Sequence, residues 1–557
     1  MTTLAAESSS ILEQELSVVI LLAVAAGIAL LVRRIKVPFT VALVVVGLVL
    51  AFFPDFIDLD ISSELILGIL VPPLLFEAVL HLPWPRLKAD LGPILMIAIG
   101  GTLIGTFLVG YAMRDWVGLP WLAALAFGAL ISATDPVAVI ALFKSLGVNK
   151  RLAVLVEGES LFNDAVAVVI FNLALGAAAA GETLTWGHGI EEFFIVGLGG
   201  LAVGLTLGYI VSELILEAVD DPLIETSTTL ALAYGSYVVA ESFGTIFGIE
   251  DLHLSGILAV VAAGLMVGNI GLNNTSPSTR VSLESFWELL TFLVNSFIFL
   301  LIGIQIDVTD LSTDIPDIAI AIGVVLVIRL MLVYGINWLH GLIQKDRKVP
   351  VEYRHVAFWG GLRGAISLAL ALTLAESPAF TEEVGETIKL MTFGVVLFTL
   401  IVQGTTIGTL ISRLGLSGKS ASEEDQQRHQ ALIYARRAGR RELERLGHEG
   451  VLFREMADAM TQTYDEQIEE NTEHLGQHFV SHPELEISML VAARRDALLA
   501  EQSALLDLGR RGLASSEVVH ELSVDLDHRV AALELLEERW ESDSVFPDVH
   551  SREEGPH

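Results

Sequence analysis

The chain has 557 residues, 53% of them hydrophobic, no cysteine and a formal net charge of −34. The absence of cysteine excludes disulfides, thiolate metal sites, iron–sulfur clusters and cysteine nucleophiles. The acidic balance excludes nucleic acid as a partner, which needs basic patches, and the mean hydropathy of +0.62 points to lipid.

In chain order, apolar runs of about twenty residues, the length that crosses a hydrocarbon core, recur at roughly 15–32, 36–53, 62–82, 91–112, 120–143, 153–178, 191–214, 227–243, 253–270, 285–306, 316–342, 354–375 and 386–411. They are apolar on all sides, as lipid-facing helices require, so the fold class is an all-α polytopic membrane protein with about thirteen spans. The first run, ELSVVILLAVAAGIALL, follows an acidic N-terminus and has no small-residue cleavage site, which reads as a retained helix.

Loops carrying Arg33, Arg34 and Lys36, then Arg86 and Lys88, then Lys144, Lys150 and Arg151, then Lys345, Arg347 and Lys348 alternate with acidic ones such as PDFIDLDISSE and DVTDLSTDIPD. The positive-inside rule then puts the N-terminus outside and the C-terminal tail in the cytoplasm of a multi-pass protein of the cell (inner) membrane. The acidic loop EAVDDPLIET falls inside by parity and is the exception.

Past residue 412 no further span occurs, and from Ile411 on there are 16 Lys/Arg against 30 Asp/Glu. EISMLVAARRDALLAEQSALLDLGRRG and SSEVVHELSVDLDHRVAALELLEERW space their apolar residues by three and four, which predicts amphipathic helices. The expected division is a membrane domain over 1–412 and an acidic helical cytoplasmic domain over 413–557, with possible regulatory contacts in the tail.

Charges inside these runs are functional suspects, because a bare charge at bilayer depth is costly. At 1.5 Å per residue, Asp135 in the fifth run lies about 14 Å from the inner face, and Asp164 in the sixth about 20 Å. Both are near the middle of a core about 30 Å thick. Arg329 in the eleventh run and Arg363 in the twelfth fall at similar depth.

The fifth run reads ISATDPVAVIALF, where Pro136 frees backbone carbonyls one turn back. The twelfth reads FWGGLRGAISLALAL, with Gly360, Gly361 and Gly364 around Arg363. If runs 1–6 and 8–13 form two inverted halves, these interruptions correspond, which is the sequence pointer to a transporter's substrate site. Freed carbonyls, the Thr134 hydroxyl and the shared helical face of Ser160 and Asp164 make an oxygen donor set. It suits a small hard cation such as Na⁺ or Li⁺, bound as cargo with no resident cofactor.

Several roles stay open on residues alone. Glu159 with Arg329, or an aspartate with Arg363, can be structural struts, since arginine does not titrate here. Asp135 either binds cation or caps a helix break. Glu77, in PPLLFEAVLHL, either lines a cytoplasmic funnel or snorkels to the interface. Glu157 serves the entrance or nothing. His253 and His355 sit at span ends and suggest no sensor.

Four segments, ATDPVAV, EGESLFNDAVAVV, HLSGILAVVAAGLMVGN and GGLRGAISLALAL, together resemble the cation/proton antiporter family 1, the NhaP-type bacterial relatives of the sodium/proton exchangers. The resemblance covers about residues 15 to 412. It implies a homodimer in membrane lipid whose core moves like an elevator, exchanging Na⁺ or Li⁺ for H⁺. It further implies Asp164 as ion-binding aspartate with Asn163 before it, Thr134 and Asp135 at the helix crossing, Ser160 as ligand, a Glu159–Arg329 pair and Glu77 as third-helix acid. With Asn163 beside Asp164 in place of a second aspartate, one acid of the pair titrates and 1:1 electroneutral exchange is expected. The alternatives are K⁺/H⁺ antiport on the same fold and a cation channel; an enzyme is not expected.

Overall fold

A backbone in lipid has to satisfy its own hydrogen bonds, and among the described residues this chain does so with helices and no strand. The computed structural model describes residues 19–32, 38–52, 65–181, 186–249 except 217 and 220, 252–272, 275, 277–305, 314–343, 348–416, 421–510 except 450 and 482, and short pieces up to 533. The beginning of the first run, the loops with Arg33, Arg34 and Lys36 and with Lys345 and Arg347, most of the two acidic loops, and Gly512 lie outside them.

Two compact units divide between Gly418 and Lys419, a few residues beyond the boundary at 412 expected from composition. In the first unit the helices are α1 Val19–Val32, α2 Phe39–Leu50, α3 Ile66–Leu80, α4 Leu91–Trp116, α5 Trp121–Ser132, α6 Val137–Leu146, α7 Lys150–Ala180 and α8 Trp186–Tyr209. There follow α9 Pro222–Glu241, α10 Gly256–Gly271, α11 Pro277–Gln305, α12 Ile315–Ile343, α13 Val351–Trp359, α14 Ala365–Glu376 and α15 Glu382–Arg413.

The thirteen apolar runs resolve into three kinds of helix. Seven are long and apolar enough to cross a membrane, with α5 and α6 counted as one interrupted stretch. Five are apolar but shorter: α1, α2, α3, α10 and α14. The eighth run becomes α9, which carries Glu225 and Glu241. Helix α7 starts three residues before its expected limit, because Asn149 Oδ1 accepts the Arg151 N–H at 2.8 Å and caps the first turn.

One continuous core joins the helices of this unit. At its centre Phe76 of α3 stacks on Trp287 of α11 with ring centroids 4.6 Å apart, and the Trp287 indole donates to Thr229 Oγ1 of α9 at 3.2 Å. Lipid is as apolar as leucine, so helix pairing here depends on close packing of small residues. Helix α8 offers Gly200, Gly204 and Gly208 on one face to the backbone of α10. A Cβ on Gly204 would meet the Ala259 carbonyl oxygen and come within 2.8 Å of its carbonyl carbon and Cα.

The second unit contains α16 Ala421–His448, α17 Arg454–Ser481 and α18 Pro483–Arg510. Arg440 pairs with Asp465 at 3.1 Å, Arg436 donates to the Gln467 carbonyl at 3.0 Å, and His429 stacks on His474, which joins α16 to α17. Helix α18 covers the first of the two amphipathic segments. At the start of the second segment Ser515 Oγ accepts the Val518 N–H at 3.4 Å, while Ser516 and Glu517 lie outside the described residues.

The packing of α8 on α10 makes a direct prediction. Gly204→Val forces two backbones apart and should destabilise the protein by about 1–3 kcal/mol, the usual cost of overpacking. A lower melting midpoint of the detergent-solubilised variant is the readout; an unchanged midpoint would mean the contact is not tight.

Candidate ion-binding site at the helix breaks

Two helices are interrupted, each for a reason visible in its residues. Pro136 has no N–H to give and pushes the residue before it out of the helical region, so α5 stops at Ser132 and α6 starts at Val137. Gly360, Gly361 and Gly364 weaken the second helix, which stops at Trp359 and resumes at Ala365. The breaks touch. The Asp135 N–H donates to the Leu362 carbonyl at 2.8 Å, and Gly364 lies so close that a Cβ there would strike the Asp135 carboxylate.

The unwinding leaves carbonyls of α5 without intrahelical partners, and side chains from other helices take them up. Ser367 donates to the Leu130 carbonyl at 2.7 Å, Asn163 Nδ2 to Ser132 at 2.7 Å, Arg363 Nη1 to Ala133 at 3.4 Å, and the Ser160 hydroxyl to Thr134. The sequence suggested these carbonyls as free ligands. They are engaged instead, because a buried carbonyl without a donor is costly.

Ser160, Asn163 and Asp164 lie on one face of α7, near the middle of that 31-residue helix. Asp164 is 7% exposed, and its Oδ1 accepts the Thr134 N–H at 3.0 Å. Asn163 is held on both sides of its amide. Its oxygen accepts from Thr102 at 2.6 Å and its nitrogen also reaches Thr134 Oγ1 at 3.2 Å.

Charge follows the helix ends. Asp135 Oδ1 accepts the Val137 N–H at 2.9 Å and caps the N-terminus of α6, where the helix dipole favours an anion. The Arg363 guanidinium meets the C-terminal carbonyls of α5, which favour a cation. Of the two struts open in the sequence, Glu159 and Arg329 are in contact at 2.7 Å. Among the described residues no ion pair joins Arg363 to an aspartate. Arg329 Nη2 also donates to the Ala357 carbonyl at 2.9 Å, which ties α7, α12 and α13 together.

A cavity of about 70 Å³ is lined by Thr134, Asp135, Ser160 and Asp164, with Asn295, Ser367 and apolar side chains around them. Its donors are all oxygen. It adjoins a larger cavity of about 600 Å³, lined by Glu77, Glu288, Thr40 and Thr291, with Val137 and Asn295 common to both. Glu77 is thus not with the four converging residues but in the outer space, with Oε1 3.6 Å from His81 Nδ1. Glu157 is half-buried on α7 and lines neither cavity.

The sequence reading missed Thr102, Asn295, Ser367 and Thr399. Thr399 Oγ1 accepts the Arg363 N–H at 3.1 Å from a π turn in α15, Thr399–Gln403. Ser367 stands in the first turn after the Gly360–Gly364 interruption and was findable as a hydroxyl beside the break. Thr102 and Asn295 carry no local signal, since each is one polar residue in an apolar run.

Crossed helix breaks beside a buried carboxylate, within a bundle of apolar helices, define a membrane transporter. Sequence comparison fixes which kind: the family model described as sodium/hydrogen exchanger, transmembrane, matches residues 19–413, and the chain belongs to that family. The Na⁺/H⁺ antiporter ApNhaP of Aphanothece halophytica is 41% identical over 404 residues, covering 72% of this chain and 74% of that protein. The Na⁺/H⁺ antiporter NhaG of Bacillus atrophaeus is 34% identical over 514 residues, 89% of this chain and 93% of its own. The solved structure of the sodium proton antiporter MjNhaP1 from Methanocaldococcus jannaschii shares the fold with a TM-score of 0.60 at 23% identity, covering 71% of this chain and 97% of that one.

The Glu159–Arg329 contact is open to a thermodynamic cycle. Arg329→Met leaves a buried carboxylate without its partner and should cost about 3–5 kcal/mol of stability. Adding Glu159→Gln should restore part of it. Strictly additive losses in the melting midpoints would show that the two groups do not interact.

Proposed function

We propose that this chain is a secondary active antiporter that exchanges Na⁺ or Li⁺ for H⁺, with cation and proton competing for Asp164. The observation that carries this reading is a buried carboxylate on a cavity whose other polar walls are Thr134, Asp135, Ser160, Asn295 and Ser367. The Na⁺/H⁺ antiporter names of relatives at 41% and 34% identity support it.

The mechanism follows from desolvation. A carboxylate without water must hold a proton or a metal ion, because the bare anion is too costly there. The Ser160 hydroxyl commits its hydrogen to the Thr134 carbonyl and the Thr134 hydroxyl accepts from Asn163. Both oxygens keep lone pairs for a hard cation. Asp135 joins as a ligand from its place at the α6 cap. The Glu77 and Glu288 cavity serves as the approach, drawing cations by its sign.

If the site reorients only when neutral, each cation carried one way is matched by a proton carried the other. Asn163, neutral and held by Thr102 and Ser132, adds no second titration, so the exchange is 1:1. The surrounding architecture in this reading is thirteen spans with runs 1–6 and 8–13 as inverted halves in the cell membrane. The N-terminus lies outside, residues 1–412 form the transporter, residues 413–557 form a cytoplasmic regulatory domain, and two copies make a homodimer.

Proteoliposomes loaded with a ΔpH and challenged with Na⁺, Li⁺ or K⁺ in parallel test the assignment. Na⁺ and Li⁺ should dissipate the gradient, and Asp164→Asn should abolish that flux while the protein still folds. Flux near wild type in this variant removes Asp164 from the site; a response to K⁺ alone replaces Na⁺ as the cargo.

The stoichiometry has its own test. A membrane potential acts on net charge moved, at about 2.3 kcal/mol per charge per 100 mV. One cation against one proton moves none, so the reversal point should follow ΔpH and the Na⁺ gradient and stay fixed as voltage is clamped. Drift with voltage would require a second proton, with Asp135 its first suspected carrier.

A further inference from the structure

Helices α12, α13 and α15 enclose a groove of about 580 Å³ that shares no lining residue with the Glu77 and Glu288 cavity and that no step of the exchange uses. Its walls are Leu330, Tyr334, Phe358, Trp359 and Leu410, and Arg413 stands at one end. The adjoining face of α12 exposes Leu330, Met331 and Trp338 by 43%, 63% and 62%. An apolar face of this extent on a membrane transporter looks onto acyl chains.

The two ends of the groove differ. At the C-terminal end of α13 the Trp359 indole donates to Thr406 Oγ1 at 2.8 Å, so neither asks for a polar ligand. Toward the ends of α12 and α15 and the start of α13 the groups become basic and hydrogen-bonding. Arg413 is the last residue of α15 and is exposed. The Tyr334 hydroxyl bonds His355 Nδ1, and both residues line the groove. An apolar trough that closes on an exposed arginine and a Tyr–His pair matches one amphiphile, an acyl chain ending in an anionic headgroup. Trp and Tyr at such a level also suit the headgroup region.

We infer that this groove is a binding site for one anionic phospholipid, its chain along Leu330, Phe358 and Leu410 and its phosphate at Arg413. Since α13 continues through the Gly360–Gly364 break into α14, the lipid contacts the same interrupted helix that forms the candidate ion site.

Trp359 reports on the groove directly. Phosphatidylglycerol or phosphatidylcholine with brominated acyl chains is titrated into the full-length protein in detergent, and the fluorescence lost in wild type but not in Trp359→Phe is taken as the signal. Phosphatidylglycerol should half-saturate that signal at about fivefold lower mole fraction than phosphatidylcholine, the step expected for one basic side chain near an anionic lipid. Arg413→Gln should remove the preference and Arg413→Lys should keep it, which separates charge from any effect on folding. Equal affinity for the two lipids, a preference that survives Arg413→Gln, or no quenching because a second copy of the chain covers the groove would each overturn the assignment.

Discussion

Everything at the centre of this molecule depends on one requirement, that backbone groups released inside a membrane find partners. Breaking a helix in water is cheap, because water takes up the orphaned groups. Breaking two in hydrocarbon is tolerable only where protein replaces water. Here each break supplies part of what the other lacks, through the Asp135 N–H and the Leu362 carbonyl. The remaining carbonyls of α5 are met by Ser160, Asn163, Arg363 and Ser367. These polar residues are therefore present for the backbone first. An ion site is what results when the same groups keep spare oxygen lone pairs beside a cavity.

The charges follow from that geometry. Two helix ends of opposite polarity meet within a few residues, so an acid and a base are needed a short distance apart, and Asp135 and Arg363 fill those places. Asp164 differs in kind. It takes one N–H from Thr134 and caps no helix, and among the described residues its charge, like that of Asp135, has no ion-pair partner. A buried acid in that condition needs a proton or a mobile cation to neutralise it.

Legibility from sequence divided along physical lines. Lipid-spanning runs announce themselves because composition alone decides them, and the interruptions at Pro136 and at Gly360–Gly364 were visible because these residue types have few other uses inside an apolar helix. Asp164, Asp135 and Arg363 stood out by cost. What stayed hidden was whatever depends on the third dimension. No local pattern indicates that Thr102 holds Asn163, that Asn295 stands between two cavities, or that the freed carbonyls are already engaged. Glu77 was left between a funnel and the interface, because sequence does not report whether a cavity reaches a side chain; in the structure it lines the larger cavity. The grip of Arg329 on α13 as well as α7 is equally invisible, because its partner there is a backbone carbonyl, which every residue has.

The three-way hold of Arg329 has a mechanical side. One guanidinium joined to Glu159 and to Ala357, together with the side-chain bonds from α7 to the α5 break, makes the helices carrying the site stiff with respect to one another. To slide α7 past α5 or α13 would rupture several buried polar bonds at once, with no water at hand to replace them. Shear must then occur along surfaces that lack such bonds. One such surface is where Val71, Leu74 and Leu75 of α3 face the cavity. Stiffness inside the polar knot and slipperiness around it are two aspects of one distribution of hydrogen bonds, and that distribution decides which parts of the molecule can move as a body.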